Sequence, residues 1–492
     1  MATAGWADLY TWQVDRKSAT PLFHQIYLQV RSAIVSRTLA PGLRLPSTRG
    51  LASRLQVARA SVISAYEQLL AEGYIVGRAR SGTFISSELP ASEPQVPRRG
   101  IAARATRPSV SVRFEAFAHV RAFPAEADAV PFNMGRTRVD ERTAETWRKL
   151  TTQALRSLNP IHLGYSDPRG LPQLREQLCE YLRAARAVHC EPDQIIVTTG
   201  TQSAIDLVIR TLLDRDAEVW VEDPCYPVTY QALETAGVTI RHVPVDAHGM
   251  DVRAGIRSAP KARVAFVTAS HQFPLGVALT MPRRLELLAW ARDTGVWIVE
   301  DDYASEFRYA GRPLASLQGL DDAERTIYVG TLNKALFPGL RLGYMVVPRS
   351  LCRAFVGARY LIDRQPSSLE QTVVAEFMRH GHFAAHLRRT RLQYRSQRDA
   401  LVAELTRRAG GHVMVDAPDQ GMHLIAYLRH RRSDTAIEAA ARRHGIAVRA
   451  IHPMYKKARP RASLMLGFSG FSCEALVAAA WRFAQLFAEA HA

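Results

Sequence analysis

Between residues 22 and 37 the apolar positions Ile26, Val30, Ala33 and Ile34 recur at helical spacing, and the pattern stops at the turn pair Pro41 and Gly42. A short second helix carries Leu51, Ala52 and Leu55. In a third, Val62, Ala65, Tyr66, Leu69 and Leu70 stand at i, i+3, i+4, i+7 and i+8, which predicts one buried face and leaves Arg59, Ser61 and Ser64 on or near the other. After Gly73 the run YIVGRARSGTFIS reads as a β-hairpin whose loop holds Arg78, Arg80 and Gly82. Periodicity then lapses in LPASEPQVPRRGIAARATRP, which has four prolines and the composition of a linker. Farther on, short β-branched runs (IIVTTG, EVWVED, RVAFVT, VWIVEDD, TIYVGT) alternate with amphipathic helical stretches, the pattern of an α/β domain with a mostly parallel sheet covered by helices. From about Glu376 helices mix with strands such as MHLIAYL and SLMLGF, which predicts a smaller C-terminal α+β lobe. The expected layout is a small helical head with a hairpin over 15–88, a linker over 89–128 and an α/β domain over 129–492.

Charge sharpens the reading of the head. The chain carries a formal charge of +18, and residues 1–100 hold 12 Lys and Arg against 6 Asp and Glu, so the N-terminal fifth is about twice as basic per residue as the rest. A polyanionic partner such as double-stranded DNA fits this balance. The five cysteines are scattered without C-x-x-C spacing, so neither a disulfide framework nor a metal cluster is expected. No signal-like or membrane-spanning apolar run occurs, which leads to the expectation of a cytoplasmic protein.

Three helices followed by a basic hairpin are the parts of a winged helix-turn-helix, whose last helix enters the major groove while the wing lies along the backbone. The segment LPSTRGLASRLQVARASVISAYEQLLAEGYIVGRARSGTFIS also resembles the GntR-type DNA-binding domain. That resemblance implies DNA contacts from Arg49, Arg59 and Ser61, and from the wing around Arg80 and Gly82. Gln56 and Ala58 stand where the family's turn usually has Gly and Ser.

The larger domain holds the groups a pyridoxal 5′-phosphate (PLP) site requires: a lysine, a carboxylate, a hydroxyl donor and a phosphate cradle. Lys334 lies in YVGTLNKALFPGLRLGY, just after a strand, where a loop can project its amine at a sheet's carboxyl edge. Asp301 ends the strand VWIVED and suits a protonated pyridine nitrogen, with Tyr303 two residues on for the phenolic oxygen. Gly200, Thr201 and Gln202 form a glycine turn opening a helix, whose N–H groups suit a phosphate. Tyr226, in EDPCYP, is a candidate to stack on the ring. Taken singly, each has an ordinary reading as a solvated lysine, a helix cap or a core aromatic.

Together, LGYSDPRGLPQLR, TTGTQSAI, EDPCYP, SHQFPLG, EDDYASEFRY and GTLNKALFPGLRLGY resemble fold-type I aminotransferases. Their union with a GntR-type head resembles the MocR family of PLP-dependent transcriptional regulators. The resemblance implies that Lys334 binds the cofactor covalently, that Thr331 and Arg341 join the phosphate cradle, and that Tyr165 reaches the phosphate of a second subunit. A homodimer follows, with domain exchange as a further option. Two departures stand out: Asn333 replaces the usual serine before the lysine, and SHQFPLG lacks the asparagine that serves the phenolic oxygen, leaving His271 or Gln272 for that task.

Aminotransferases of this kind hold the substrate α-carboxylate with an arginine in a C-terminal strand. Here that strand reads SLMLGFS, with Leu464, Met465 and Leu466 around the position and Arg461 close by. The expected function is therefore a regulator that senses PLP, an amino acid or an amine without turnover. An aminotransferase that carries a DNA-binding head is the alternative.

Overall fold

The computed structural model describes residues 12–79, 81–87, 116–120, 130–158, 160–311, 314–429, 432–457 and 461–488. Two compact units result, residues 1–109 and residues 110–492. Arg80 and most of the expected linker lie outside the described residues.

In the first unit, α1 (Leu22–Val35), α2 (Thr48–Leu55) and α3 (Arg59–Ala71) precede the hairpin β1 (Ile75–Arg78) and β2 (Gly82–Ile85). Its core draws Ile26, Val30 and Ile34 from α1, Leu51 and Ala52 from α2, and Val62, Ala65, Tyr66 and Leu69 from α3. Leu70 departs from the expected apolar face: it is 52% exposed, because a strip of 62, 65, 66 and 69 already fills the space against α1 and α2. The turn between α2 and α3 explains the unusual residues in it. Gln56 ends α2 in the left-handed region, φ 52°, where glycine would carry no Cβ penalty. Ala58 begins α3 with no side-chain cap, whereas Ser47 caps α2 by accepting the Gly50 N–H at 3.1 Å. Ala58→Ser should therefore raise the stability of this unit by about 1 kcal/mol. Calorimetry of the full chain checks it, and an unmoved or lowered first transition would contradict the cap argument.

The second unit is built on an eight-stranded sheet in the order β3-β10-β9-β8-β7-β4-β5-β6. Its strands are β3 (Ile195–Thr198), β4 (Glu218–Asp223), β5 (Thr239–Asp246), β6 (Gly249–Met250), β7 (Val264–Val267), β8 (Trp297–Asp302), β9 (Thr326–Thr331) and β10 (Gly343–Val346). Pairings among β4, β5, β7, β8 and β9 are parallel, while β10 runs against both its neighbours and β6 against β5. All five β-branched runs in the sequence lie on this sheet, and their near-continuous apolar character follows from burial on both faces. A separate antiparallel sheet in the order β11-β12-β14-β13 forms the C-terminal lobe: β11 (Val413–Val415), β12 (His423–Leu428), β13 (Arg449–Ala450) and β14 (Ser463–Gly467). No helix among the described residues is long and apolar enough to cross a membrane.

Candidate functional site

Parallel strands deliver their carboxyl ends to one edge of a sheet, and there the loops after β3, β8 and β9 meet. Asp301 and Asp302 close β8 beside Val329 and Gly330 of β9, and Thr331 and Lys334 follow directly. Alternation along β8 sends the two adjacent carboxylates opposite ways. Asp302 is tied to Arg186 at 2.7 Å and accepts the Tyr328 hydroxyl at 2.7 Å. Asp301 Oδ1, by contrast, is shut off from solvent and has no hydrogen-bond partner among the described residues, and the same holds for the Tyr303 hydroxyl. Burial, then the charges of Asp302 and Glu222, push Asp301 up to about 7; burial, then Asp301, raises Tyr303 well above the usual phenol range.

Lys334 donates to the Gly135 carbonyl at 3.2 Å, in a short helix capped by Thr331, whose hydroxyl accepts the Asn333 N–H at 3.2 Å. Gly135 has φ 65°, and a Cβ there would stand 2.4 Å from Lys334 Nζ. Asn333, expected only as a small change of residue, accepts the Leu342 N–H at 3.1 Å and so ties the lysine loop to the segment that carries Arg341. Arg341 itself is exposed and in the left-handed region at φ 52°. Gly200 joins the cluster: at φ 129° it starts the helix Thr201–Leu212, and a Cβ on Gly343 would lie 2.8 Å from its Cα. Loops carrying Gly200, Thr201, Gln202, Thr331 and Arg341 are thus brought together around one helix N-terminus.

Around the mouth, Tyr226 meets Phe273 edge-on at 5.2 Å, and Phe273 meets Tyr303 at 6.1 Å. Phe273 is where the serving asparagine is missing, and the two residues nominated in its place differ. Gln272 is spent: its Nε2 donates to the Pro224 and Phe273 carbonyls at 2.7 Å, and its Oε1 accepts from Leu275. His271 lies beside Tyr303 at 5.8 Å, buried, with neither ring nitrogen hydrogen-bonded among the described residues. Burial, then the neighbouring His423, lowers it to about 3, so it is a neutral imidazole at physiological pH. Two groups were not legible in the sequence. Glu222, which accepts from the Thr268 N–H and hydroxyl, is pushed up to about 7 by burial, and His423 bonds the Pro274 carbonyl at 2.9 Å. Glu222 opens the EDPCYP segment and His423 opens β12, and only the fold brings them to Asp301 and His271. Tyr165 is 80% exposed, with the Arg364 guanidinium 4.1 Å over its ring.

The raised Asp301 gives a pH signature. An unfolded aspartate ionises near 3.8 while the folded one keeps its proton to about 7, so its ionisation works against folding as pH rises from about 4 to 7. Asn cannot ionise. The stability of the unliganded natural protein relative to Asp301→Asn should therefore fall across that window and level off above it, as followed by urea melts; parallel profiles would contradict it.

In the first unit Arg49 and Arg59 are exposed, with Arg59 donating to Thr48 Oγ1 at 3.3 Å, and Ser61 is half-buried on α3. Gly82 proves to be a close approach as well as a wing tip: at φ 107° its Cβ would lie 3.0 Å from Arg44 Nε. Arg44, bridged to Phe84, adds a basic group that sequence reasoning did not nominate, and Arg78, expected in the loop, ends β1 paired with Gly82 and lies 4.8 Å over the Phe84 ring.

Comparisons with known proteins agree on both units. Residues 127–468 match the aminotransferase class I and II family, and residues 22–85 match the bacterial regulatory proteins of the gntR family. The chain is 36% identical over 93% of its length to the probable rhizopine catabolism regulatory protein MocR of Rhizobium meliloti, covering 92% of that protein. It is 31% identical to the pyridoxine biosynthesis regulator PdxR of Corynebacterium glutamicum, over 76% of each chain. Among solved structures, the α-aminoadipate aminotransferase LysN of Thermus thermophilus, complexed with N-(5′-phosphopyridoxyl)-L-leucine, superposes with a TM-score of 0.69 at 25% identity, covering 76% of this chain and 97% of that one.

Proposed function

The chain belongs to the MocR family of transcriptional regulators, which join a gntR-type helix-turn-helix to an aminotransferase domain, and from that premise we propose that its large unit holds PLP as a sensing group whose state sets how the heads of a homodimer engage double-stranded DNA. When bound, PLP supplies an aldehyde that condenses reversibly with amines and a ring that withdraws electrons. Lys334 is the amine for that aldehyde. Asp301 offers the buried carboxylate that a protonated pyridine nitrogen needs, and Tyr303, with neutral His271 beside it, offers a donor for the phenolic oxygen. Gly200, Thr201, Gln202, Thr331 and Arg341 offer N–H, hydroxyl and guanidinium donors for the phosphate. Tyr226 covers the ring, and Tyr165 is the candidate to reach the phosphate site of a second copy.

The observation that carries this reading is the pair of solvent-excluded polar atoms, Asp301 Oδ1 and Tyr303 Oη, without partners among the described residues at the sheet edge that carries Lys334. Buried polar groups are nearly always bonded, so a site that leaves two unsatisfied is shaped for a polar ligand. No arginine stands among Leu464, Met465 and Leu466, around the place where the resemblance expects the carboxylate-holding one, which favours the sensor over the enzyme. Arg49, Arg59 and Ser61, with Arg80 and Gly82 of the wing, would carry the DNA contacts.

Fluorescence anisotropy on DNA from upstream of the protein's own coding sequence, with and without PLP, tests the proposal. Specific binding that changes with cofactor occupancy is expected, and Arg59→Ala should weaken it and lower the salt slope by about 1 if that side chain holds a phosphate. No specific binding in either state would sink the regulatory reading. Steady conversion of an amino acid to its 2-oxo acid would favour the enzyme.

A further inference from the structure

Strands β12 and β14 present alternate residues to two different surroundings. Leu424, Ala426, Leu464 and Leu466 enter the main core with Val448, whereas Ile425 and Met465 face a second cluster with Ile451. That second cluster is the floor of the cofactor crevice, because it includes Met134, next to the Gly135 that holds Lys334, and Phe273, which touches both Tyr226 and Tyr303. Met465 pairs across the ladder with Ile425 on one side and Arg449 on the other. Paired residues share a sheet face, so β13 brings the Arg449 side chain to the face on which Met465 stands.

We infer that Arg449, one strand over from Met465, is the anion anchor of this crevice, and that the effector is an amino compound bearing a carboxylate. The inference rests on the sensing role proposed above and names its ligand class. Arg449 is half-buried; burial, then Asp301, raises the pKa of the Tyr226 hydroxyl while the charge of Arg449 lowers it, so both charges act on that ring. Glu438 and Arg442 lie near Arg449, and burial lowers its own pKa, as expected of a guanidinium drawn out of water. Arg461, the nearer arginine in sequence, is committed elsewhere: it donates to the Leu428 carbonyl at 3.1 Å and lies 5.8 Å over Tyr427. A planar fork at Arg449 can take a carboxylate in two parallel bonds, and an apolar Met465 beside it shields them from water.

The test uses the full-length protein loaded with PLP and follows its visible spectrum during titration with matched pairs: L-phenylalanine and phenethylamine, L-ornithine and putrescine, β-alanine and ethylamine. At least one carboxylate should perturb the spectrum at a concentration about tenfold or more below its amine counterpart, the preference expected of a charged hydrogen-bonded pair. Arg449→Met should erase that preference, and Arg449→Lys should keep only part of it. The inference is overturned if no carboxylate perturbs the spectrum, if amines act as well as their acids, or if the preference survives in Arg449→Met. A natural protein that takes up no PLP at all would instead overturn the sensing reading beneath it.

Discussion

Lys334→Ala protein will come off a gel-filtration column without the visible absorbance that the natural protein keeps after loading with PLP. On the proposed reading the lysine supplies the covalent hold, and the remaining groups would offer hydrogen bonds that exchange with buffer. Its loss should cost little in folding, because the hydrogen bond from Lys334 to Gly135 O, at 3.2 Å, is worth about 1 kcal/mol. The natural and variant proteins should therefore melt alike without cofactor and diverge once PLP is added, since only the natural protein gains from tight binding to its folded form. Gly135→Ala offers a second route to the same phenotype, as its Cβ would fall 2.4 Å from Nζ and push the amine aside. Colour retained by Lys334→Ala through gel filtration would remove the lysine from the site.

The largest effect on stability is expected at Arg186, away from the cofactor groups. Arg186 is buried and bound to Asp302 at 2.7 Å, Ser270 Oγ at 2.6 Å and the Leu314 carbonyl at 2.5 Å. Its pKa is held far above the usual range by Asp302, against the opposing pull of burial. Arg186→Ala leaves Asp302 as an uncompensated charge under the sheet edge, which costs about 3–5 kcal/mol when one partner of a buried pair is removed. Replacing Asp302 as well, in Arg186→Leu with Asp302→Leu, should recover much of that loss, because the cost comes from the stranded charge. Chemical denaturation of the natural protein, Arg186→Ala and the double variant measures it. A loss under about 1 kcal/mol in Arg186→Ala would show that water reaches the pair.

The sequence by itself determined the order and type of elements. Apolar spacing of 3.6 placed α1 to α3, and the β-branched runs placed β3, β4, β7, β8 and β9, because a strand buried on both faces must be apolar along its length. Motif spacing also nominated the cofactor groups, since Asp301, Tyr303, Thr331 and Lys334 are set by the ends of two adjacent strands. Sequence could not decide what lies opposite what. Leu70 fits the helical face of α3 yet finds that face already full, and Gln272 looks as available as His271 until its amide is seen spent on Pro224 and Phe273. Asp301 and Asp302 are chemically alike, and only the buried Arg186, 116 residues away, separates a structural carboxylate from one left open to a ligand. Arg449 and Met465, on separate strands 16 residues apart in sequence, become neighbours through a β pairing. Local periodicity fixes which way a side chain points; long-range packing decides which charge or ring it meets, and the chemistry of this crevice depends on that second choice.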